Sequence, residues 1–211
     1  MVMEKGRLEA FTDGVIAVII TIMVLELKPP HDATWHALLG NWPVFVSYVV
    51  SFVYVGIYWN NHHHLMHLAE RVDGKAMWAN LHFLFWLSLF PFTTAWVNEA
   101  HGEHGEFPAP IPAALYGVVL LMAALSWIPL AKALVACNGG TASELAKALA
   151  SNWKERLSPV LYLVAITLAV SAALSSTWRY ATIISGFLYA AVALIWLVPD
   201  RRIERHVMPK P

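Results

Sequence analysis

A chain of 211 residues that is 58% hydrophobic and only 13% charged, with a mean hydropathy of +0.55, has too little polar surface to coat a soluble globule. Its 14 basic and 14 acidic residues leave a formal net charge of zero, and nucleic acid is not expected as a partner. The expectation is an all-α integral membrane protein, one domain over residues 1–211.

Six spans are predicted: Leu8 to Leu27, Trp42 to Asn60, Met77 to Val97, Ile111 to Leu134, Ser158 to Ala173 and Tyr180 to Val198. The first rises about 30 Å, the thickness of a hydrocarbon core. Its basic start at Lys5 and Arg7 is not read as a cleavable signal, because the segment is long, holds Asp13 and ends in Glu-Leu-Lys-Pro-Pro. Breaks fall at Lys28-Pro29-Pro30, Asp73-Gly74-Lys75, Pro108 to Pro112 and Asn138 to Thr141. Thr141 to Leu157 reads as a surface amphipathic helix leading into the fifth span. Cys137 is the only cysteine, so no intramolecular disulfide can form.

Alternate connections put Lys5, Arg7, Arg71, Lys75, Lys132, Lys147, Lys154, Arg156, Arg201, Arg202, Arg205 and Lys210 on one side, and only Lys28 and Arg179 on the other. The positive-inside rule then makes both termini cytoplasmic. The opposite side carries His31, Asp32, Glu99, His101, Glu103, His104 and Glu106, either an acidic rim that concentrates cations or an ordinary solvated loop.

In the first span, Arg7, Phe11, Gly14, Val18, Thr21, Ile22 and Leu25 lie within about 60° of one line at helical periodicity. Such a heptad seam packs on a neighbouring helix or faces copies of itself around an axis. Asp13 points about 140° away from it, and a buried carboxylate needs donors. Asn60, Asn61, His62, His63 and His64 on the second span and Trp78, Asn80 and His82 on the third start or end at the same depth. Trp59 and Trp86 are further candidates for an internal polar network.

Arg7-x-x-x-Phe11-Thr12-Asp13-Gly14 before an apolar helix resembles the Arg-x-x-x-Phe-Ser-Asp signature of the transmembrane protein 175 family, with threonine keeping the serine hydroxyl. Tyr58-Trp59-Asn60-Asn61-His62-His63 is similar to that family's Tyr-Trp-x-x-His-His pattern. The resemblance implies a potassium-permeable cation channel of the single-repeat prokaryotic type, a homotetramer whose first helices line a central pore. It implies no enzymatic activity, no cofactor and no bound metal, the ions being what permeates. Val18, Thr21, Ile22 and Leu25 would be the pore residues. Arg7, Phe11, Thr12, Asp13, Trp59, His62, His63, Trp78 and His82 would form the network that fixes the pore helix.

No Thr-Val-Gly-Tyr-Gly loop occurs in the chain, so a filter of stacked carbonyls is not available and apolar rings would gate by dewetting. Glu26, about 80° off the seam, is either a field source at the outer mouth or an interfacial helix end. Two rival classes follow from other features. His63 and His67 stand at i and i+4 and, with Glu70 or Asp73, have the spacing of a metal site, which would suit a membrane metallohydrolase. Pro91 and Pro129 interrupt spans as in secondary transporters, although no repeat accompanies them.

Overall fold

The computed structural model describes residues 4–30, 32–104, 109–149, 153–175 and 180–197, and the elements are helices throughout. In chain order these are α1 (Lys5–Leu25), α2 (Trp35–Gly40), α3 (Trp42–Leu68), α4 (Gly74–Leu87), α5 (Phe90–His104), α6 (Pro110–Cys137), α7 (Glu144–Ala148), α8 (Trp153–Leu174) and α9 (Ala181–Leu197). Among them α1, α3, α6 and α8 are long and apolar enough to cross a membrane, and α9 is a shorter apolar helix. Of the residues expected in the two rims, His31, Glu106, Arg179, Arg201, Arg202, Arg205 and Lys210 lie outside the described residues, as does Val198 at the end of the sixth predicted span.

The starts of several helices are written locally. Thr34 accepts from the Ala37 amide at 3.1 Å, Asp73 from Ala76 at 2.8 Å and Ser143 from Ala146 at 3.1 Å, capping α2, α4 and α7. Each such cap contributes about 1 kcal/mol. Pro43 and Pro110 sit in the first turns of α3 and α6, where a missing N–H costs nothing. Gly139, at φ +96°, follows the α6 C-cap Asn138 in the left-handed region that glycine adopts without strain.

Three expected boundaries change. The third span is not continuous: α4 ends at Leu87 and α5 begins at Phe90. Pro91 has no N–H to give the Leu87 carbonyl, and its ring crowds that carbonyl. The chain therefore turns through Ser88 and Leu89, whose amides reach Leu84 and Trp86 at 2.9 and 3.3 Å. The second span runs past Asn60 to Leu68, so that all four histidines of His62 to His67 are helical. The single helix expected over Thr141 to Leu157 is instead a 3-10 turn (Gly140–Ala142), the short α7, and the first turn of α8. The six-residue α2 had no counterpart among the predicted spans.

Side-chain ties between helix ends fix which ends lie together. Lys5 Nζ donates to the His67 carbonyl at 3.4 Å, which brings the start of α1 to the end of α3. Asn138 at the end of α6 uses its whole amide on the α3–α4 connection and its own helix. Its Oδ1 accepts from the Glu70 and Arg71 amides at 2.7 and 2.8 Å, and its Nδ2 donates to the Arg71 and Leu134 carbonyls at 2.9 and 2.8 Å. Trp196 Nε1 donates to Ser158 Oγ at 2.8 Å and joins α9 to α8. This end also carries Lys75, Lys132, Lys147, Lys154 and Arg156, and is called the basic end below. At the other end Lys28 pairs with Glu99 at 2.6 Å, and the Ser47 hydroxyl donates to Asn98.

Between the two ends, α6, α8 and α9 pack closely, with α4 and α5 against α6. Gly117 on α6 is closely packed. A Cβ there would meet the Tyr189 ring, and would stand 2.7 Å from Ile166 Cγ1. The Tyr189 hydroxyl, which donates to the Ala113 carbonyl at 3.1 Å, has no room to retreat without losing that bond. Gly117→Ala is expected to destabilise the protein by about 1–3 kcal/mol, read as a lower thermal unfolding midpoint of the purified protein in detergent.

Candidate functional site

The site is built on α1, whose two sides differ. Leu8, Thr12, Ile16, Ile19 and Met23 are buried against the rest of the subunit. Arg7, Phe11, Gly14, Val18, Thr21, Ile22 and Leu25, the residues of the seam, are all exposed in the isolated subunit. Leu25 reaches 79% exposure and Val18 54%, so among the described residues this line is largely uncovered, with Ile22 alone bordering α5. The Thr21 hydroxyl donates to the Val18 carbonyl at 2.8 Å. With its proton used inside the helix, the oxygen presents only lone pairs outward. Near the acidic end Ile22 and Glu26 also border a cleft of about 520 Å³ with Phe92, Trp96 and Glu99 of α5.

The half-buried flank of α1 beside this face is paired with α3 in an antiparallel register that repeats every helical turn. Lys5 meets the His67 carbonyl, Glu9 Oε1 lies 3.4 Å from His63 Nδ1, and Asp13 Oδ1 accepts from Trp59 Nε1 at 2.9 Å. Each step advances four residues on α1 and goes back four on α3, which is the spacing that keeps side chains on one face of each helix. The Trp59 and His63 rings stack at 5.9 Å, so neighbouring rungs brace one another.

A third helix joins through Asn80 of α4. Its Nδ2 donates to Thr12 Oγ1 at 2.9 Å, and its Oδ1 lies 3.0 Å from His62 Nε2. With the Asn80 amide in this orientation its carbonyl can only accept, and the bond requires the His62 proton on Nε2. Thr12, His62 and Asn80 are all fully buried, where each bond is strengthened and each loss is costly. His62 stacks on Phe83 at 6.3 Å and an interplanar angle of 5°, and its Nδ1 is a buried acceptor without a partner among the described residues.

The structure thus brings together Thr12, Asp13, Trp59, His62 and His63 of the expected network. It does not bring Arg7, Phe11, Trp78 or His82 into it. Arg7 and Phe11 lie on the exposed line of α1, Trp78 is 75% exposed, and the exposed His82 meets only the edge of Trp86, at 6.4 Å. The physical reason is helix phase: Asn80 faces α1 and α3, which turns Trp78 and His82, two residues to either side, about 160° away. Asn80 stood among the candidate donors, but its place at the centre of the network was not visible, and Glu9 was missed. Its i,i+4 spacing to Asp13, matching that of Trp59 and His63, was the available signal. For the histidines, no group of three or more metal-ligating side chains converges among the described residues.

The family model described as endosomal/lysosomal potassium channel TMEM175 matches residues 7–91, which span α1 through the break after α4. A potassium channel of Chryseobacterium sp. (strain P1-3) is 47% identical over 203 residues, covering 96% of this chain and 97% of that protein. A potassium channel of Streptomyces collinus is 39% identical over 128 residues, 59% of this chain and 61% of that one. The crystal structure of a lysosomal potassium-selective channel TMEM175 homolog from Chamaesiphon minutus superposes with a TM-score of 0.74 at 27% identity, covering 94% of this chain and 97% of that one. With near full-length identity at that level and the signature residues placed on the gripped helix, the chain belongs to the TMEM175 family of potassium channels.

Proposed function

We propose that this protein is a potassium-permeable cation channel of the cell membrane, formed by four copies whose α1 helices line a central pore. The observation that carries the reading is the division of α1 into a buried face, clamped by polar contacts, and an uncovered line bearing Val18, Thr21, Ile22 and Leu25. The outward-facing hydroxyl oxygen of Thr21 also lies on it, a group with a use beside a water-filled path and none toward lipid. The exposed arc is also wider than the seam. Ala10, Ala17 and Val24, also exposed, recur at seven-residue spacing beside it, and two of the three are small enough for a neighbouring helix to approach closely.

In this reading six segments cross the bilayer. α4 and α5 make one crossing together, from the basic end to the acidic end, and the basic end faces the cytoplasm. Val18, Ile22 and Leu25 form apolar rings that conduct when widened and wetted. The Thr21 oxygens, lone pairs outward, supply the cation-binding layer between them. No cofactor is needed. Among the described residues the metal-site alternative has only the Glu9 and His63 pair to stand on, and the transporter alternative only the break at Ser88 and Leu89, because α6 runs unbroken through Pro129.

Potassium flux into proteoliposomes tests the reading. Flux that exceeds that of sodium, excludes a large organic cation and resists a chelator is expected. Absence of flux from folded protein would overturn it. Ile22→Ala should raise flux several-fold, because a wider ring wets more readily. Thr21→Val should bring the potassium-to-sodium ratio toward unity. Disulfide crosslinking of a Leu25→Cys variant between subunits is expected of an axial pore.

The clamp makes a separate expectation. Asn80→Ala strands His62 Nε2 and Thr12 in the buried network, at a cost of about 1–3 kcal/mol for each orphaned group, and Asp13→Ala releases Trp59. Both should lower the yield of tetramer on size exclusion while leaving the unitary current of surviving channels unchanged. Ordinary tetramer yield from Asn80→Ala would show that the network does not hold the pore helix.

A further inference from the structure

On the far side of α3 from the clamp, the basic end contains a cavity of about 890 Å³ between α3, α6 and α8, within the range of about 300–1,000 Å³ typical of sites that enclose a small molecule. Each helix contributes one face at helical spacing. From α3 come Tyr54, Ile57 and Tyr58, and from α6 Ala124, Trp127 and Ile128. Tyr162 completes the deep wall, and Trp196 stands nearer the mouth, where its Nε1 donates to Ser158. The walls are thus apolar and aromatic, and they meet charge only at the mouth, where Lys132 of α6 and Arg156 of α8 stand with Glu155. Among the described residues neither Lys132 nor Arg156 is paired with a carboxylate, and the mouth carries a net positive charge.

We propose that this cavity binds an anionic phospholipid of the adjoining leaflet, with one acyl chain between the three helices and the phosphate on Lys132 and Arg156. From Lys132 to Ala124 the α6 face descends about 12 Å, most of the roughly 15 Å depth of one hydrocarbon leaflet. The charged groups therefore lie at headgroup level and the aromatic walls at acyl level. Basic pockets between membrane helices at a positive surface are suited to anionic headgroups. A soluble anion would leave the apolar walls unused, and a zwitterionic lipid would bring its own cation to a mouth that already holds two. A lipid seated here braces α3 from behind at Tyr58, one residue before the Trp59 that holds Asp13.

The test is binding of phosphatidylglycerol, compared with phosphatidylcholine of the same chains, to the purified full-length protein in detergent. Native mass spectrometry and the rise in unfolding temperature read it in parallel. Phosphatidylglycerol is expected to bind more tightly. Lys132→Gln or Arg156→Gln should each weaken it about 5-fold and the double variant about 30-fold, while Lys75→Gln, exposed at the same end but outside the cavity, leaves it unchanged. Ala124→Phe, which fills the deep end, should weaken both lipids. If that variant fails to fold, the charge variants still decide. Equal binding of the two lipids, a loss in Lys75→Gln as large as in the double variant, or equal protection by glycerol phosphate without acyl chains would each overturn the proposal.

Discussion

The arrangement of the subunit depends on the antiparallel pairing of α1 with α3. Three polar contacts, one per turn, set both the register and the rotation of α1, and Asn80 locks that rotation from a third helix. A helix of apolar residues alone has little reason in lipid to present one face over another, because the acyl chains around it are as apolar as leucine. Polar groups supply the preference. Thr12 is satisfied only toward α4 and Asp13 only toward α3, so the opposite line from Phe11 to Leu25 is left uncovered. The exposed line is thus a consequence of what is buried.

The same logic places the rest of the bundle. α6 is anchored at one end by the fully used amide of Asn138 and, about two turns in from its other end, by the absence of a side chain at Gly117. α8 and α9 then fill the space behind it. A polar chain links α3 to α5 and α6 near mid-height, where the buried Ser51 hydroxyl bonds Thr94 at 2.8 Å and Tyr116 at 2.9 Å. Tyr54 reaches across to the Tyr189 carbonyl at 2.6 Å. These contacts hold α3 to α5, α6 and α9 through side chains, while leaving the cavity open beside α3 toward the basic end.

Much of this was legible in the sequence because its signals are local. The long apolar runs, the seam on the first span and the motif pair around Asp13 and Trp59 are all patterns within a few turns of one helix. What was not legible depends on where one helix meets another. Asn80, Trp78 and His82 lie within five residues and look equivalent as donors, yet only helix phase against α1 and α3 selects Asn80. The effect of Pro91 was visible as a kink, but not that α4 would end outright at Leu87 and α5 begin anew at Phe90. The cavity draws its walls from residues more than a hundred positions apart, and no window along the chain contains it.

The order in which the clamp's parts are synthesised has a consequence for biogenesis. The chain emerges from its N-terminus, so α1 enters the bilayer with Thr12 and Asp13 before any partner exists. Trp59 and His62 arrive some fifty residues later, and Asn80 later still. Until then the first helix is free to turn about its own axis. α1 thus acquires a fixed orientation only once α3 and α4 are in place, and copies that meet before residue 80 has been inserted have no defined face to present to one another.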